Sequence, residues 1–309
     1  AYEISTRDWS SDVCSSDLVK KIFFLYFITF KTAFYYRPTH VFYHMVDTHC
    51  ALMSPIFKIF GSKQFLWYAH QKKSLALQLS SLFVDGIITS TRESFPHDAK
   101  YMRAKLSFAG QSIDETIFPR IWREPAHFRK AVCVGRLDPS KGIWEIIETL
   151  GKHSLARDSF SITFVGSPSN AKSQEHLEEI LSLARTKYPN LAIQLLGAVN
   201  RKELSAVLAR YDFFIHAFKG SLDKVLLEAT LTGMPVITCN SGYNRIFNSW
   251  SDSQQNALND ELQSFLNSSL QEIRALCSNR RLICLNEHTL DHWIESVVKT
   301  ILRQNKEIA

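Results

Sequence analysis

Arg136 and Lys141 stand close together in VGRLDPSKG. The run AVCVG (131–135) before them reads as a strand, and KGIWEIIETL (141–150), apolar at 143, 146, 147 and 150, reads as a helix. Both cations therefore fall where a strand hands over to a helix. Two cations beside a helix N-terminus suit a phosphate group. A solvated Arg and Lys on a surface loop would look the same from spacing alone. The second chemical feature is Glu228, in FKGSLDKVLLEATLTGMPVI. Helical spacing puts it on one face with Val225 and Leu231. A buried carboxylate needs hydrogen-bond donors or a charge, and a ribose diol would supply two hydroxyl donors. An ion pair with Lys224 at i,i+4 on a wet face is the plainer reading. Gly220, Ser221, Leu222 and Asp223 lead into that helix, whose start would offer backbone amides to a diphosphate.

The elements that must position these groups alternate along the chain. Strands are expected at 40–46, 64–70, 86–91 and 105–114, with helices at 54–61 and 71–84. A polar connection carrying a proline, IWREPAHFR (121–129), follows. Beyond it come strands at 131–135, 161–166, 193–197, 213–217 and 235–239, and helices at 141–150, 174–188, 201–211 and 224–233, with a helical tail from about Asn259. Such alternation implies parallel, doubly wound α/β sheets. Two Rossmann-like domains are expected, 19–124 and 125–309. In such sheets ligands bind at the carboxyl ends of the strands. Gly166 and Gly197 fall at two of those ends, where glycine lets a ligand approach the backbone or simply makes a turn.

The composition bounds the function. The chain has 309 residues, 45% hydrophobic and 21% charged, as in ordinary globular proteins. Residues 19–128 hold fourteen Lys/Arg and seven Asp/Glu, a net +7, whereas 129–309 hold twenty-one and nineteen, a net +2. A basic first half suits an anionic ligand or membrane surface. No basic helix or aromatic-basic interleaving accompanies the charge, so nucleic acid is not expected. Six scattered cysteines show neither zinc spacing nor a disulfide framework, which suits a reducing cytoplasm. Residues 1–18, AYEISTRDWSSDVCSSDL, lack any helix or strand period and resemble a translated sequencing adapter. IFFLYFITFKTAFYY (22–36) is too short to cross a bilayer. Burial in the core is its expected fate, with membrane contact the alternative.

VGRLDPSKG, followed by FVG, LLGAVNRKEL and YDFFIHAFKGSLDKVLLEATLTGMPVI, resembles the C-terminal domain of the retaining GT-B glycosyltransferases of family four, the glycosyl transferases group 1. The likeness runs in order from 129 to about 245, and less specifically over 40–118. It implies sugar transfer from a nucleoside-diphosphate sugar to a glycan or lipid-linked acceptor, with retention at the anomeric carbon. It implies no metal or other cofactor, and a cytoplasmic protein at most peripheral to the membrane. By the same resemblance Arg136 and Lys141 bind the donor diphosphate and Glu228 holds the ribose. Gly135, Gly166, Gly197, Val199, Gly220, Ser221, Leu222 and Asp223 complete the donor site. His70, in YAHQKKS, would reach the transferred sugar, though a histidine at a strand end is also common. One departure is that Gly220 stands where the family has the first of two motif glutamates. Another is that the family's Gly-rich loop has no counterpart and would lie before Val19. A catalytically impaired nucleotide-binding relative is the main alternative. A dinucleotide oxidoreductase would need a G-x-G-x-x-G turn, which the sequence lacks. A sugar-nucleotide epimerase of the same fold is disfavoured by VGRLDPSKG.

Overall fold

The computed structural model describes residues 15–96, 100–156, 159–252 and 257–303. The chain begins with α1 (Ser15–Tyr36), β1 (His40–His44), α2 (Asp47–Ile59), β2 (Lys63–Trp67), α3 (Leu75–Phe83), β3 (Gly86–Thr89) and β4 (Leu106–Phe108). These four strands form one parallel sheet in the order β1-β2-β3-β4. After the connection come β5 (Lys130–Val134), α4 (Ile143–Ala156), β6 (Ser161–Val165), α5 (Ala171–Lys187), β7 (Ala192–Gly197), α6 (Arg201–Leu208), β8 (Phe213–His216), α7 (Lys224–Thr232) and β9 (Val236–Thr238). Their parallel sheet has the order β7-β6-β5-β8-β9. Four helices close the chain: α8 (Ser241–Phe247), α9 (Leu258–Asn267), α10 (Leu270–Glu287) and α11 (Leu290–Arg303).

The central strands read as apolar runs because helices cover both faces of each sheet. All four residues of β3 and of β8 are buried. The helices start and stop where side chains can satisfy orphan backbone groups. Ser74, Asn170 and Asn200 cap α3, α5 and α6, and Ser269 with Glu272 forms a capping box on α10. Gly233 ends α7 in the left-handed conformation, φ 85°.

In the second sheet the chain winds outward from β5 through β6 to β7, then returns to place β8 on the other side of β5. The order therefore reverses between β5 and β8. A crevice opens at such a reversal because the loops after the two strands diverge to opposite faces. The loop after β5 carries Arg136 and Lys141, and the loop after β8 runs from Ala217 to Asp223.

The two halves of the chain are tied together around Ile113 and through the last helix. Ile113 donates to the His288 carbonyl at 2.8 Å, and Leu290 donates back to Ile113 at 2.8 Å. The last helix, α11, then packs on the first sheet, with Val297 joining Trp67, Ile88 and Ala109 in one apolar cluster against Trp293 and Ile301. Gly110 makes the crossing possible. It has φ 74°, and a Cβ there would collide with the backbone carbonyl of Glu287.

Several expectations are corrected. Helix α2 begins at Asp47, ahead of the expected 54, and carries Pro55 inside it. Helix α8 fills a stretch with no expected element. The apolar run 22–36 is helical but not buried in the core. Of its aromatic residues Phe23, Phe24, Phe27 and Tyr35 are at least 65% exposed, while Thr29 and Ala33 face inward. An all-round apolar helix at the margin of a sheet covers only part of its surface, here mainly against α2. Of the expected unstructured tail, residues 1–14 lie outside the described residues, and Ser15–Leu18 belong to α1. Among the described residues no helix is long and apolar enough to cross a membrane.

Candidate functional site

A cleft of about 480 Å³ lies between the two sheets, at the carboxyl ends of their strands. The second domain lines it with Arg136, Lys141, Phe218, Ser221, Leu222, Asp223 and Lys224. The first lines it with His44, Trp67 and His70, and Trp293 of α11 closes one side. Six expected residues thus converge: His70, Arg136, Lys141, Ser221, Leu222 and Asp223. The other six, Gly135, Gly166, Gly197, Val199, Gly220 and Glu228, lie outside this lining.

The strand exits lie beside the cleft, behind its lining. Gly135 has φ 146° and Gly166 φ 140°, and a Cβ on Gly166 would collide with the Gly135 carbonyl. Gly197 has φ 79° with open space around it. Val199 packs into the apolar core beneath α7. Arg136 is 70% exposed by its side chain, with Nε 3.6 Å from Asp138 Oδ2. Asp138 in turn accepts from the Ser169 amide at 3.0 Å and hydroxyl at 2.7 Å. Burial would raise its carboxyl, but these bonds and Arg136 hold it below the usual range.

Lys141 is paired internally. Its Nζ lies 2.5 Å from Asp223 Oδ2 and 4.1 Å from the centre of the Phe218 ring. Asp223 is the N-cap of α7, although its side chain makes no capping bond. The buried ring of His216 approaches the same Asp223 oxygen at 3.5 Å. Burial would raise the Asp223 carboxyl, but His216 and Lys141 outweigh it and hold the group well below the carboxylate range. Burial also lowers His216, and Asp223 offsets this in part.

The loop into α7 is held from two sides. Asn240, the N-cap of α8, donates through Nδ2 to the carbonyls of Phe218 and Gly220, each at 3.0 Å. Gln111, on the first domain's side of the cleft, donates to the Leu222 carbonyl at 2.6 Å. With these carbonyls engaged, the loop enters α7 in one conformation. Gly220 matters sterically, since a Cβ there would run into the Phe218 ring.

Glu228 is buried, with 4% exposure. Its partner is Arg201, the first residue of α6, whose Nη2 lies 2.6 Å from Oε1. The expected alternative, a pair with Lys224, is not what forms, because α6 brings a guanidinium closer. Burial raises the Glu228 carboxyl, and Arg201 and Lys224 offset this only in part. Sequence reasoning missed Arg201, Gln111, Phe218, Asn240 and Trp293. The asparagine just after a strand could have been flagged as a cap. The others act across long separations and leave no local pattern.

Among the described residues, no group of three His, Cys, Asp or Glu side chains could hold a metal ion.

With this geometry in hand, residues 129–266 match the family described as glycosyl transferases group 1. That match lies within the second half of the chain and supports a group 1 glycosyltransferase there. The chain therefore carries a transferase domain on a GT-B framework of two parallel α/β sheets. Three solved structures show the same fold. HepE of Anabaena, in complex with UDP, is 14% identical with a TM-score of 0.72, over 90% of this chain and 82% of that one. A glycosyltransferase of Rickettsia africae is 13% identical with a TM-score of 0.71, over 96% and 84%. Sucrose-phosphate synthase of Thermosynechococcus elongatus is 13% identical with a TM-score of 0.70, over 97% and 82%. No curated protein matches the chain by sequence.

Proposed function

We propose that the chain transfers a sugar from a nucleoside-diphosphate sugar to a glycan or lipid-linked acceptor, with retention at the anomeric carbon. The observation that carries this reading is the convergence of Arg136, Lys141 and the start of α7 on one cleft at the strand-order reversal. Cleavage of the donor leaves negative charge on the departing diphosphate. Two cations and the helix amides stabilise that charge as it develops. No metal or other cofactor is then needed for this step. Among the cleft-lining residues Asp223 is the one carboxylate, and Lys141 already holds it. It is poorly disposed to be a covalent nucleophile, which favours departure and attack on the same face. Glu228 is assigned the donor ribose, exchanging part of its contact with Arg201 for hydroxyl donors. His70 is assigned the transferred sugar.

Among the described residues β1 pairs only with β2, and α1 leaves an aromatic face bare. The same face, with Lys20, Lys21 and Arg37 at its ends, suits peripheral contact with an anionic membrane surface and a cell-envelope acceptor. The second reading is a nucleotide-binding relative with impaired catalysis. It is favoured by Phe218, whose ring fills the space in front of Gly220. The test is release of nucleoside diphosphate from UDP-, GDP- and ADP-sugars in the presence of glycan and lipid-linked acceptors, with the product anomer read by NMR. An α-linked product from an α-donor supports the reading. Nucleotide binding without turnover supports the second one.

A further inference from the structure

Lys224 is the first residue of α7 and lines the cleft beside Asp223. Side chains on a helix tilt toward its N-terminus, so this position carries an ammonium out over the helix start. By sequence its natural partner is Glu228, but Arg201 has taken that carboxylate at 2.6 Å. Among the described residues no carboxylate pairs with Lys224 within ion-pair distance. Its nearest charged surroundings are Arg201 and Glu228, and His44 faces it across the cleft. Desolvation and Arg201 both lower its pKa, and Glu228 only partly restores it. An arriving anion would relieve that crowding of positive charge.

The cleft's charge balance points the same way. Its lining holds Arg136, Lys141 and Lys224 against the single carboxylate of Asp223. Lys141 is shared with Asp223 and Arg136 lies 3.6 Å from Asp138, whereas Lys224 has no carboxylate within ion-pair distance among the described residues. A diphosphate bridging a nucleoside and a sugar has one negative charge on each phosphate. Resting on the donor reading above, we propose that Lys224 is a third cation of the donor site and contacts the diphosphate directly. A solvated lysine at a helix start would have no such contact.

Calorimetry with inorganic pyrophosphate, UDP, GDP and ADP, at low and high salt, tests this. The variants are Lys224→Ala, Lys224→Arg, Lys224→Gln, Arg136→Ala, Lys141→Ala and, as a control, Lys202→Ala on the exposed start of α6. The proposal expects Lys224→Ala and Lys224→Gln to lose about tenfold in affinity for the diphosphates at low salt and to flatten its salt dependence. Lys224→Arg should retain most of the affinity, Lys202→Ala should match wild type, and melting temperatures should barely move. If Lys224→Ala and Lys224→Gln bind as wild type while Arg136→Ala and Lys141→Ala bind weakly, the proposal is overturned and the donor reading stands. If no diphosphate binds the unaltered chain, the donor reading falls and the proposal with it. If Lys224→Ala unfolds, comparison of the Arg and Gln variants decides: equal affinities overturn the proposal, and loss in Gln alone supports it.

Discussion

Arg201 Nη2 lies 2.6 Å from Glu228 Oε1, so the buried carboxylate of the donor helix is answered from the neighbouring helix α6 and not from within α7. Arg201 is 47% exposed while Glu228 is 6% exposed by side chain. The carboxylate therefore bears most of the desolvation cost, and its pKa is raised from 4.5. A folded-state pKa above the unfolded one means that folding takes up a proton between them. Glu228 thus contributes its full stability below about pH 4.5, and that contribution is lost as pH rises through the folded value. Glu228→Gln removes this dependence. Chemical denaturation should show wild type gaining on the variant as pH falls from 7.5 to 4.5. A difference that is flat with pH would mean that Glu228 ionises normally. Arg201→Ala leaves the carboxylate unpaired and should cost about 1–3 kcal/mol at neutral pH.

Lys141 and Asp223 form an ion pair that any anionic ligand must share. Arg136→Ala and Lys141→Ala each remove a charge-assisted contact worth about 1.5–3 kcal/mol. Both should weaken nucleoside-diphosphate binding, and more so at low salt. Asp223→Asn should do the opposite, because it frees Lys141 and removes the cleft's negative charge. Its affinity is expected to rise several-fold. Stability should move the other way. Asp223 is depressed in the folded state, so its contribution is present above the unfolded pKa near 3.8 and is lost as pH falls below it. Tighter binding by Arg136→Ala, or weaker binding by Asp223→Asn, would place the anion elsewhere.

The strand and helix alternation was legible because its periods are local. So was the position of Arg136 and Lys141, since a strand followed by a cation-bearing loop and a helix start is a contiguous pattern. The fate of 22–36 was not legible. Its residues are apolar on every side, and only the tertiary neighbours decide which face is covered. The partner of Glu228 was hidden for a similar reason. The i,i+4 rule proposes Lys224, but the approach of α6 brings Arg201 nearer. Gln111 and Asn240 hold the loop before α7 from separations of 111 and 20 residues, beyond any motif. Residue pairs set by topology leave no trace until the sheet order is known.

Gly166 and Gly197 look alike in sequence, each ending a strand before a loop. Their surroundings differ. A Cβ on Gly166 would collide with the Gly135 carbonyl, whereas Gly197 has nothing within 4 Å. Both have positive φ, so both alanine variants carry backbone strain of about 1–3 kcal/mol. Gly166→Ala adds overpacking of about 1–3 kcal/mol, because backbone must move. Thermal melting should therefore show the larger loss for Gly166→Ala. Equal losses would mean that the β5 and β6 exits can separate freely.

Phe218 and Gly220 share one space. The Phe218 ring, 4.1 Å below the Lys141 ammonium, stands where a side chain at 220 would begin. Gly220→Glu must therefore turn the ring out of its place over Lys141. Overpacking at such a site costs about 1–3 kcal/mol. The end of a phenyl ring can swing, so the lower part of that range is expected. Lys141 would also lose a cation–π contact worth about 0.5–1 kcal/mol. Combining Gly220→Glu with Phe218→Ala vacates the space in advance, so the double variant should be more stable than the sum of its parts predicts. A double-mutant cycle on unfolding free energies measures this coupling, expected at about 0.5–3 kcal/mol. Additive losses would show that residue 220 and the ring do not compete, and that the glycine answers to the backbone alone.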